Sequence, residues 1–361
     1  MTDRRVHPYQ GIEDHRLWSR AVTWAPPGEL DPVTEARFRI GPDDAVATMG
    51  SCFAQHVARS LAASGLNYLV TETAPDELDA AAATARQYGL FSARYGNVYT
   101  VEQALQLVRR AMGEFEPAED WWPRGDVVVD PFRPLVEPDG FADVDALRAD
   151  RASHLAATRA VIERTDVLVF TLGLTEGWRS RRDGALFPTA PGVNGGSFDA
   201  ELHEFVNFDV DAVRSGLLEL CRRVREINPG IRVLLTVSPV PLIATAEHRH
   251  VLVSTSVSKA ILRVAADETR RALDFVDYFP SYELISTVGI RNYYEPDLRE
   301  VRPEGVAHVM RVFHRHYVDG GAGRDSSQRV APPPALATAG TGPQDVVCDE
   351  ETILAAIEAT R

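Results

Sequence analysis

The sequence predicts an α/β fold of the doubly wound class, in which a mostly parallel sheet carries helices on both faces. Three apolar segments, residues 45–49, 167–172 and 231–237, have the nearly unbroken hydrophobic character of strands buried on both faces. Segments with helical spacing lie between and after them, and this alternation is typical of parallel strands joined by right-handed crossovers. The chain has 361 residues, which is enough for one large domain with additions, and we expect that domain over residues 41–318.

The first strand-helix unit, at about residues 44–64, carries two nucleophilic side chains where the helix begins. Its apolar run stops at Gly50, and Ser51 and Cys52 follow. Gly65 is a suitable helix stop. The buried face of the helix is marked by residues that recur every four positions: Phe53, Val57 and Leu61. A thiol or hydroxyl in the first turn lies near the positive end of the helix dipole, which favours a thiolate or an oxyanion.

The remaining elements follow from shorter signals. Residues 67–71 have the β-branched and aromatic content of a short second strand. Thr100 with Gln103 predicts a capped helix that runs to about Met112. The periodic segments beyond it predict helices at about 151–164, 209–227 and 257–272, a strand at 274–278 and a last core helix that ends near Tyr317.

Three segments are predicted to lie outside this core. Residues 1–40 are expected to form an N-terminal arm on the surface, anchored by Trp18. Residues 113–150 contain two tryptophans and several prolines, which is typical of an insertion or lid-like segment that can carry substrate selectivity. Residues 319–361 predict a flexible tail, because small and polar residues dominate its first part, and residues 350–360 are compatible with a short terminal helix.

The composition excludes several classes of function. A formal net charge of −14 disfavours binding to a phosphate backbone. No apolar run approaches the roughly 20 residues that cross a bilayer. The three cysteines, at positions 52, 221 and 348, are too few for a disulfide framework and fit a reducing compartment. We therefore expect a cytoplasmic protein with no nucleic-acid or membrane partner, no cofactor and no metal site.

The segment Gly50-Ser51-Cys52-Phe53-Ala54 resembles the motif that names the GSCFA family, which is distantly related to the SGNH/GDSL hydrolases. The resemblance extends in order to residues 94–100, 173–176, 236–242 and 278–283, and so covers roughly residues 40–315. It implies an SGNH-hydrolase-like fold. Enzymes of that class combine a nucleophile after the first strand with fixed donors aimed at the developing oxyanion.

The first two blocks of this resemblance imply the nucleophile and an oxyanion donor. Gly50-Ser51-Cys52 lies over the Gly-Asp-Ser of the SGNH pattern, which places Cys52 rather than Ser51 at the nucleophile position. Gly96 or Asn97 resembles the donor of the second block. Two neighbours of this block are expected to support the pocket: Arg94 and Tyr99.

The third and fourth blocks depart from the SGNH pattern. Gly173, Thr175 and Glu176 stand where Gly-x-Asn-Asp is expected, so Thr175 replaces the asparagine. Asp297 and Glu300 occupy the place of Asp-x-x-His, so a glutamate replaces the histidine. An imidazole has a pKa of about 6.5 and exchanges protons near neutral pH more readily than a carboxylate at about 4.3. Three histidines elsewhere are alternatives for the missing base: His248, His250 and His308.

We therefore predict an SGNH-like hydrolase or acyltransferase that acts on an ester, a thioester or a related acyl group of a small-molecule or carbohydrate substrate. The covalent intermediate is expected on Cys52, or on Ser51 if the register is shifted, with proton handling by Asp297 and Glu300. Catalytic Cys52 should react with thiol reagents faster than the other two cysteines.

Plainer interpretations stand beside this prediction. Cys52 also fits a small buried residue at a tight junction, with Ser51 as the helix cap. Asp297 and Glu300 also fit simple first-turn acids of a helix, and residues 173–176 also fit a turn at a strand end. The alternative function is a protein that binds a carbohydrate or small ligand without hydrolysing it, or a transferase redirected within a biosynthetic pathway.

Overall fold

The computed structural model describes residues 7–26, 28–287, 293–319, 348–349 and 351–359. The helices within these ranges are α1 (Phe53–Ala63), α2 (Ala80–Ala85), α3 (Val101–Ala111), α4 (Val144–Arg164), α5 (Val210–Ile227), α6 (Val251–Ala272), α7 (Pro303–Tyr317) and α8 (Glu351–Ala359). The strands are β1 (Val46–Gly50), β2 (Trp122–Arg124), β3 (Val127–Val129), β4 (Val167–Leu172), β5 (Glu176–Ser180), β6 (Leu186–Phe187), β7 (His203–Asn207), β8 (Arg232–Val237) and β9 (Val276–Tyr278).

The central sheet of the described residues has the strand order β1-β4-β8-β9, and every neighbouring pair is parallel. All of β1, β4 and β9 and nearly all of β8 are buried, as their apolar runs predict. The strand predicted at 67–71 is reduced to one parallel bridge, in which Tyr68 pairs with Val46 on the far side of β1. The chain order therefore reverses beside β1, and the predicted doubly wound α/β class is confirmed.

Helices cover both faces of this sheet. Odd-numbered residues of β1 such as Met49 pack with apolar side chains of α3, α4, α5 and α6. Even-numbered residues such as Val46 pack with α1 and α7 on the opposite face. This alternation follows from the two-residue period of a strand, and it anchors α1, with Cys52 before its first residue, in a rigid core.

Helix starts explain both the success and the errors of the sequence prediction. The Thr100 side chain accepts a hydrogen bond from the backbone N–H of Gln103, as expected for the cap of α3. The start predicted for α4 at about 151 is wrong by seven residues, because Asp143 caps the helix instead. The start predicted for α6 at about 257 is late for a similar reason, since the ring of His250 accepts a hydrogen bond from Leu252 N–H.

The insertion therefore ends at about residue 143 rather than 150. It contains the antiparallel hairpin of β2 and β3, and its aromatic side chains pack on a separate three-stranded sheet of the described residues with the order β6-β5-β7. One hydrophobic cluster joins the two: Trp122, Val129, Phe132, Ala185 and Phe187. No local sequence signal predicted the three strands β5, β6 and β7.

The two ends of the chain differ from their predictions in detail. Trp18 as an anchor is wrong, because 67% of it is exposed; the arm is held instead by residues such as Leu30, which packs with α7. Residues 320–347, on which the predicted flexible tail mostly falls, lie outside the described residues. Helix α8 agrees with the short terminal helix. No helix in the described ranges combines the length and apolarity to cross a membrane.

Candidate active site

The turn between β1 and α1 brings Cys52 to the carboxyl end of the sheet. Gly50 has a φ of +141°, and a Cβ atom there would lie 2.3 Å from the carbonyl oxygen of Thr171. Only glycine fits so close an approach. The N–H of Ser51 donates a hydrogen bond to that same carbonyl. Cys52 is the N-cap residue of α1, and the side chains of Ser51 and Cys52 are both buried. The thiol therefore stands at a helix N-terminus in a fixed position.

This position is the crevice where ligands bind in doubly wound folds, because the crossovers from β1 and β4 leave in opposite directions there. Gly173 follows β4 and packs so closely that a Cβ atom would lie 2.8 Å from the carbonyl oxygen of Tyr99 and 3.0 Å from Cβ of Ser51. The N–H groups of Gly173 and Leu174 both donate to Tyr99 O. Three of the blocks identified in the sequence therefore meet at one edge.

Asn97 and Tyr99 are held by side chains of two helices. Gln103 of α3 accepts from Tyr99 N–H at 2.9 Å and donates to the Asn97 carbonyl at 3.0 Å. Gln55 of α1 donates to Oδ1 of Asn97 at 3.1 Å. Gly96, with a φ of +67°, provides the left-handed turn immediately before Asn97. The amide of Asn97 is therefore oriented with its Nδ2 donor facing away from Gln55.

A segment near the C-terminus fills the space in front of these donors. Oδ2 of Asp349 accepts from Nδ2 of Asn97 at 2.9 Å and from the hydroxyl of Tyr99 at 3.3 Å. The sulfur of Cys348 accepts hydrogen bonds from the thiol of Cys52 and from Nη2 of Arg299, the latter at 3.3 Å. We call this group the thiol cluster: Cys52, Cys348, Asp349, Asn97, Tyr99 and Arg299.

The thiol cluster shifts the pKa values of two of its members away from their ordinary values, in opposite directions. The hydrogen bond from Cys52 and the charge of Arg299 outweigh burial and lower the pKa of Cys348 to about 5. Burial, with the neighbouring Cys348 thiolate, raises the pKa of Asp349 to about 6. In contrast, Cys221 on α5 lies in the apolar core, where burial raises its pKa to about 12. Shifted pKa values of this kind are typical of functional sites, so Cys348 and Asp349, unlike Cys221, are candidates for a functional role.

Arg94, predicted to support the pocket, belongs to a different group. All five of its N–H donors are used, by Arg86 O, Tyr88 Oη, Asp150 Oδ1, Val136 O and Glu137 Oε1. No donor remains for an oxyanion. We call the surrounding ion network, which ties the insertion to α4, the insertion cluster: Arg94, Glu72, Asp130, Arg133, Glu137, Asp150, Arg151 and His154.

The polar side chains after β4 also have structural partners. The hydroxyl of Thr175 donates to Oδ1 of Asn207 at 2.7 Å, so it is not oriented as a donor for an oxyanion. Glu176 accepts hydrogen bonds from Thr245 and from Ala246 N–H, and burial raises its pKa. These contacts fix the turn at the end of β4, and a direct site role for either residue stays a prediction.

The fourth block contributes a residue that the motif comparison passed over. Asp297 is exposed, and its Oδ1 accepts from the N–H groups of Arg299 and Glu300, so it shapes a turn. Glu300 is also exposed. Arg299, between them, reaches the sulfur of Cys348. The proton-handling role proposed for the two acids stays a prediction, whereas the turn they form presents a guanidinium to the thiol cluster.

The histidine that is nearest to the fourth block in sequence has a structural position. Both ring nitrogens of His308 are hydrogen-bonded, Nδ1 with the hydroxyl of Tyr293 and Nε2 with the carbonyl of Leu30, each at 2.8 Å. His248 and His250 are exposed, and His250 caps α6. His308 and His250 therefore have structural partners, and a role for any of the three histidines as the base of Cys52 stays a prediction.

Other residues of the site escaped the sequence analysis. Lys259 of α6 is buried and donates to the carbonyl of Gly173 at 2.6 Å, while Ser258 beside it accepts from Thr175 N–H. The sequence feature that could have indicated this contact is a lysine on the buried face of an amphipathic helix. Cys348 and Asp349 carried no motif at all. Among the described residues, no group of three or more His, Cys, Asp or Glu side chains is arranged to hold a metal ion.

The chain was compared with curated proteins and with solved structures. A search of curated proteins gave no match. Among solved structures, a family 3 carbohydrate esterase of Clostridium thermocellum is 10% identical, with 77% of this chain and 94% of that chain covered and a TM-score of 0.32. The acetyl xylan esterase Est2A from the rumen bacterium Butyrivibrio proteoclasticus is 10% identical, with 66% and 54% covered and a TM-score of 0.24. Similarities this low transfer no activity.

The family model described as the GSCFA family matches residues 45–313. That match begins at the start of β1, takes in the Gly50-Ser51-Cys52 turn and ends within α7. It therefore includes every element of the central sheet. Because it spans well over half of the sequence, the chain belongs to the GSCFA family.

Proposed function

We propose that this protein is an acyl hydrolase or acyltransferase that forms a covalent intermediate on Cys52. The observation that carries the proposal is that two donors, Asn97 Nδ2 and Tyr99 Oη, converge on one carboxylate oxygen of Asp349 beside the Cys52 thiol. Two fixed donors aimed at one negatively charged oxygen next to a nucleophile are the arrangement that stabilises a tetrahedral oxyanion. Asp349 Oδ2 then marks the place that the substrate oxygen takes.

Activation of the nucleophile follows from its surroundings. Cys52 stands at the N-terminus of α1, and Arg299 is held near it through Cys348. When substrate displaces the Cys348–Asp349 segment, the guanidinium of Arg299 is released from Cys348, the sulfur that Cys52 contacts. Both the helix dipole and an adjacent cation favour a thiolate. A thiolate attacks an acyl carbonyl directly, so this scheme requires no histidine base in the fourth block.

The acyl group then leaves the sulfur by one of two routes. Water as acceptor gives hydrolysis, and an alcohol or amine acceptor gives transfer. An ester, thioester or related acyl group of a small-molecule or carbohydrate substrate remains the predicted substrate class. Ser51 is the weaker choice of nucleophile because its hydroxyl has no hydrogen-bond partner among the described residues, whereas Cys52 contacts Cys348, the neighbour of the carboxylate on which the two donors converge.

Replacement of Cys52 tests the proposal. With p-nitrophenyl acetate as the probe, Cys52→Ala should lower turnover by about a thousandfold or more, since the bond-forming atom is removed. Intact-mass spectra of the wild-type protein should contain an acetyl adduct on Cys52. Cys221→Ala is the matched control and should retain turnover, because Cys221 lies in the core on α5. Unchanged turnover in Cys52→Ala, with no adduct in the wild type, would exclude the proposal.

Asp349→Ala separates two roles for this carboxyl group. If Asp349 stands in for the substrate oxygen, its removal frees Asn97 and Tyr99, and kcat/KM for the ester should rise severalfold. If Asp349 were instead a required proton acceptor, kcat should fall. Binding of an acetylated sugar without turnover in the wild type and in Asp349→Ala would favour the alternative of a non-hydrolytic binding protein.

A further inference from the structure

Two of the three cysteines of the chain are in contact in the candidate active site. The thiol of Cys52 donates a hydrogen bond to the sulfur of Cys348, although the two are far apart in sequence. Cys348 is fixed from two other sides, by Nη2 of Arg299 at 3.3 Å and by the hydroxyl of Tyr99 at 3.8 Å. Arg299 and Tyr99 therefore hold the sulfur of Cys348 in place beside Cys52.

The surroundings of the pair divide it into a reactive and a receiving sulfur. The guanidinium of Arg299 and the hydrogen bond from Cys52 hold Cys348 as a thiolate, with its pKa lowered to about 5. The thiolate is the form that attacks an oxidant, and an adjacent thiol then resolves the product. Cys221 has neither feature, since it is enclosed by apolar side chains of α3, α5 and the sheet.

We propose that Cys348 and Cys52 form a reversible disulfide when the protein meets hydrogen peroxide. The Cys348 thiolate attacks one oxygen of peroxide, the O–O bond breaks, and Cys348 sulfenic acid and hydroxide form. The sulfur of Cys52 then attacks the sulfur of the sulfenic acid, and an S–S bond replaces the S–O bond. The proton of Cys52 and the departing hydroxyl leave as water. Cys348 and Cys52 have lost two electrons in total, and peroxide has gained them.

The disulfide would close the candidate site. It ties the C-terminal segment to the cap of α1, so that Asp349 stays on Asn97 and Tyr99 and Cys52 is no longer a nucleophile. Both sulfurs are buried, with Cys52 4% and Cys348 5% exposed, which suits an oxidant as small as peroxide. The loss of acyl turnover rests on the proposed function, whereas formation of the disulfide does not.

Peptide mass spectrometry of the full chain tests the proposal. The reduced protein is treated with a slight excess of hydrogen peroxide, alkylated and digested without reductant. A peptide pair that joins Cys52 to Cys348 is expected, and dithiothreitol should remove it. In Cys221→Ala the same pair should form at the same rate. In Cys52→Ala the sulfenic acid on Cys348 lacks its resolving thiol, so the disulfide-linked pair should be absent and the Cys348 peptide should gain the mass of oxygen.

Three results would overturn the proposal. The first is a disulfide that involves Cys221, and the second is a disulfide found only between two copies of the chain. The third is full alkylation of Cys52 and Cys348 after a peroxide treatment strong enough to oxidise free glutathione completely. Because these readouts use mass alone, they are separate from the test of the proposed function. If the disulfide forms but Cys52→Ala still turns over the ester, the acyl mechanism fails and the redox proposal stands.

Discussion

The insertion cluster and the thiol cluster are both buried and polar, but they use charge in opposite ways. In the insertion cluster, burial acts to raise carboxyl pKa values, yet the surrounding arginines and His154 outweigh it. The pKa of Glu72 falls to about 2, and that of Asp130 is held well below its ordinary range. Near neutral pH these carboxyl groups are therefore fully ionised and fully paired.

The thiol cluster instead raises the pKa of a carboxyl group and lowers that of a thiol. The pKa of Asp349 rises to about 6, chiefly through burial, while that of Cys348 falls to about 5. A group whose pKa lies near ambient pH gains and loses its proton at little cost. A shifted pKa alone therefore does not mark a reactive site. The shifts in the insertion cluster hold carboxylates in their usual charged form, whereas those in the thiol cluster bring a carboxyl pKa towards neutral pH and hold a thiol as the thiolate.

Arg94→Met should break the insertion cluster and gives the largest expected effect. It removes the buried Arg94 guanidinium from the half-buried carboxylates of Glu137 and Asp150, which keep Arg86 and Arg133 as partners. The loss of this buried ion pair should cost about 3 kcal/mol of unfolding free energy. Urea unfolding measures the change. The control is Arg159→Ala, whose partner Glu163 is solvent-exposed and which should cost less than about 1 kcal/mol. Equal effects of the two changes would contradict the role given to Arg94.

Arg299→Gln should change the thiol cluster without a comparable loss of stability. A hydrogen bond to a charged group contributes about 1.5–3 kcal/mol, so its loss should raise the pKa of Cys348 by about one to two units. The ultraviolet absorbance of thiolates during a pH titration measures this change, and burial, which raises the pKa of Cys221 to about 12, keeps that thiol out of the titration range. Arg302→Gln, a neighbour that pairs with Glu295, is the control. An unchanged titration in Arg299→Gln would exclude the contact.

The pH dependence of the docked C-terminal segment should separate Asp349 from Cys348. The pKa of docked Asp349 is raised to about 6. The stability that this carboxyl group adds to docking is therefore fully present below about pH 4 and is lost as the pH rises through 6. The pKa of docked Cys348 is lowered to about 5. The stability that this thiol adds to docking is therefore fully present above about pH 8.5 and is lost as the pH falls through 5.

Two variants expose these opposite slopes. In Cys348→Ser, protection of the Asp349 amide from hydrogen exchange, corrected for the intrinsic rate, should fall by about tenfold between pH 4 and 7. In Asp349→Asn, protection of the same amide should rise with pH over that range. That amide donates to the Tyr99 hydroxyl at 3.1 Å and so reports docking directly. Parallel slopes in the two variants would contradict the assignment.

The fold was largely predictable because its central strands are continuous apolar runs. The parallel strands β1, β4 and β8 and the cap of α3 at Thr100 each follow from a local signal. The small sheet was not predictable in this way. Its strands are short, and most residues of β5 and β7 are half-buried. Trp178 and Phe205 pack on each other across these two strands, a contact that no local period reveals.

The candidate site was predictable only where it lies on the motif. Cys52 and Asn97 were identified because they stand in blocks that resemble a family. Asp349 was not, since 250 residues separate it from the Tyr99 hydroxyl that it contacts, and a contact of this kind is decided by tertiary packing. For Arg94 the motif suggested a pocket residue, but its guanidinium is used by two nearby acceptors, on Arg86 and Tyr88. Three more acceptors lie more than 40 residues away in sequence, on Val136, Glu137 and Asp150.

Ser51→Ala gives the smallest expected effect and decides between the two nucleophiles of the motif. The hydroxyl of Ser51 is buried without a hydrogen-bond partner among the described residues, so its removal should leave the unfolding free energy unchanged or raise it by about 1 kcal/mol. Ester turnover should persist. Thr236→Val is the matched control, because that hydroxyl bonds Phe279 O and Ser281 Oγ and its loss should cost about 1–3 kcal/mol. If Ser51→Ala abolished turnover in a folded protein, the nucleophile would be Ser51, and Cys52 would serve only the redox pair.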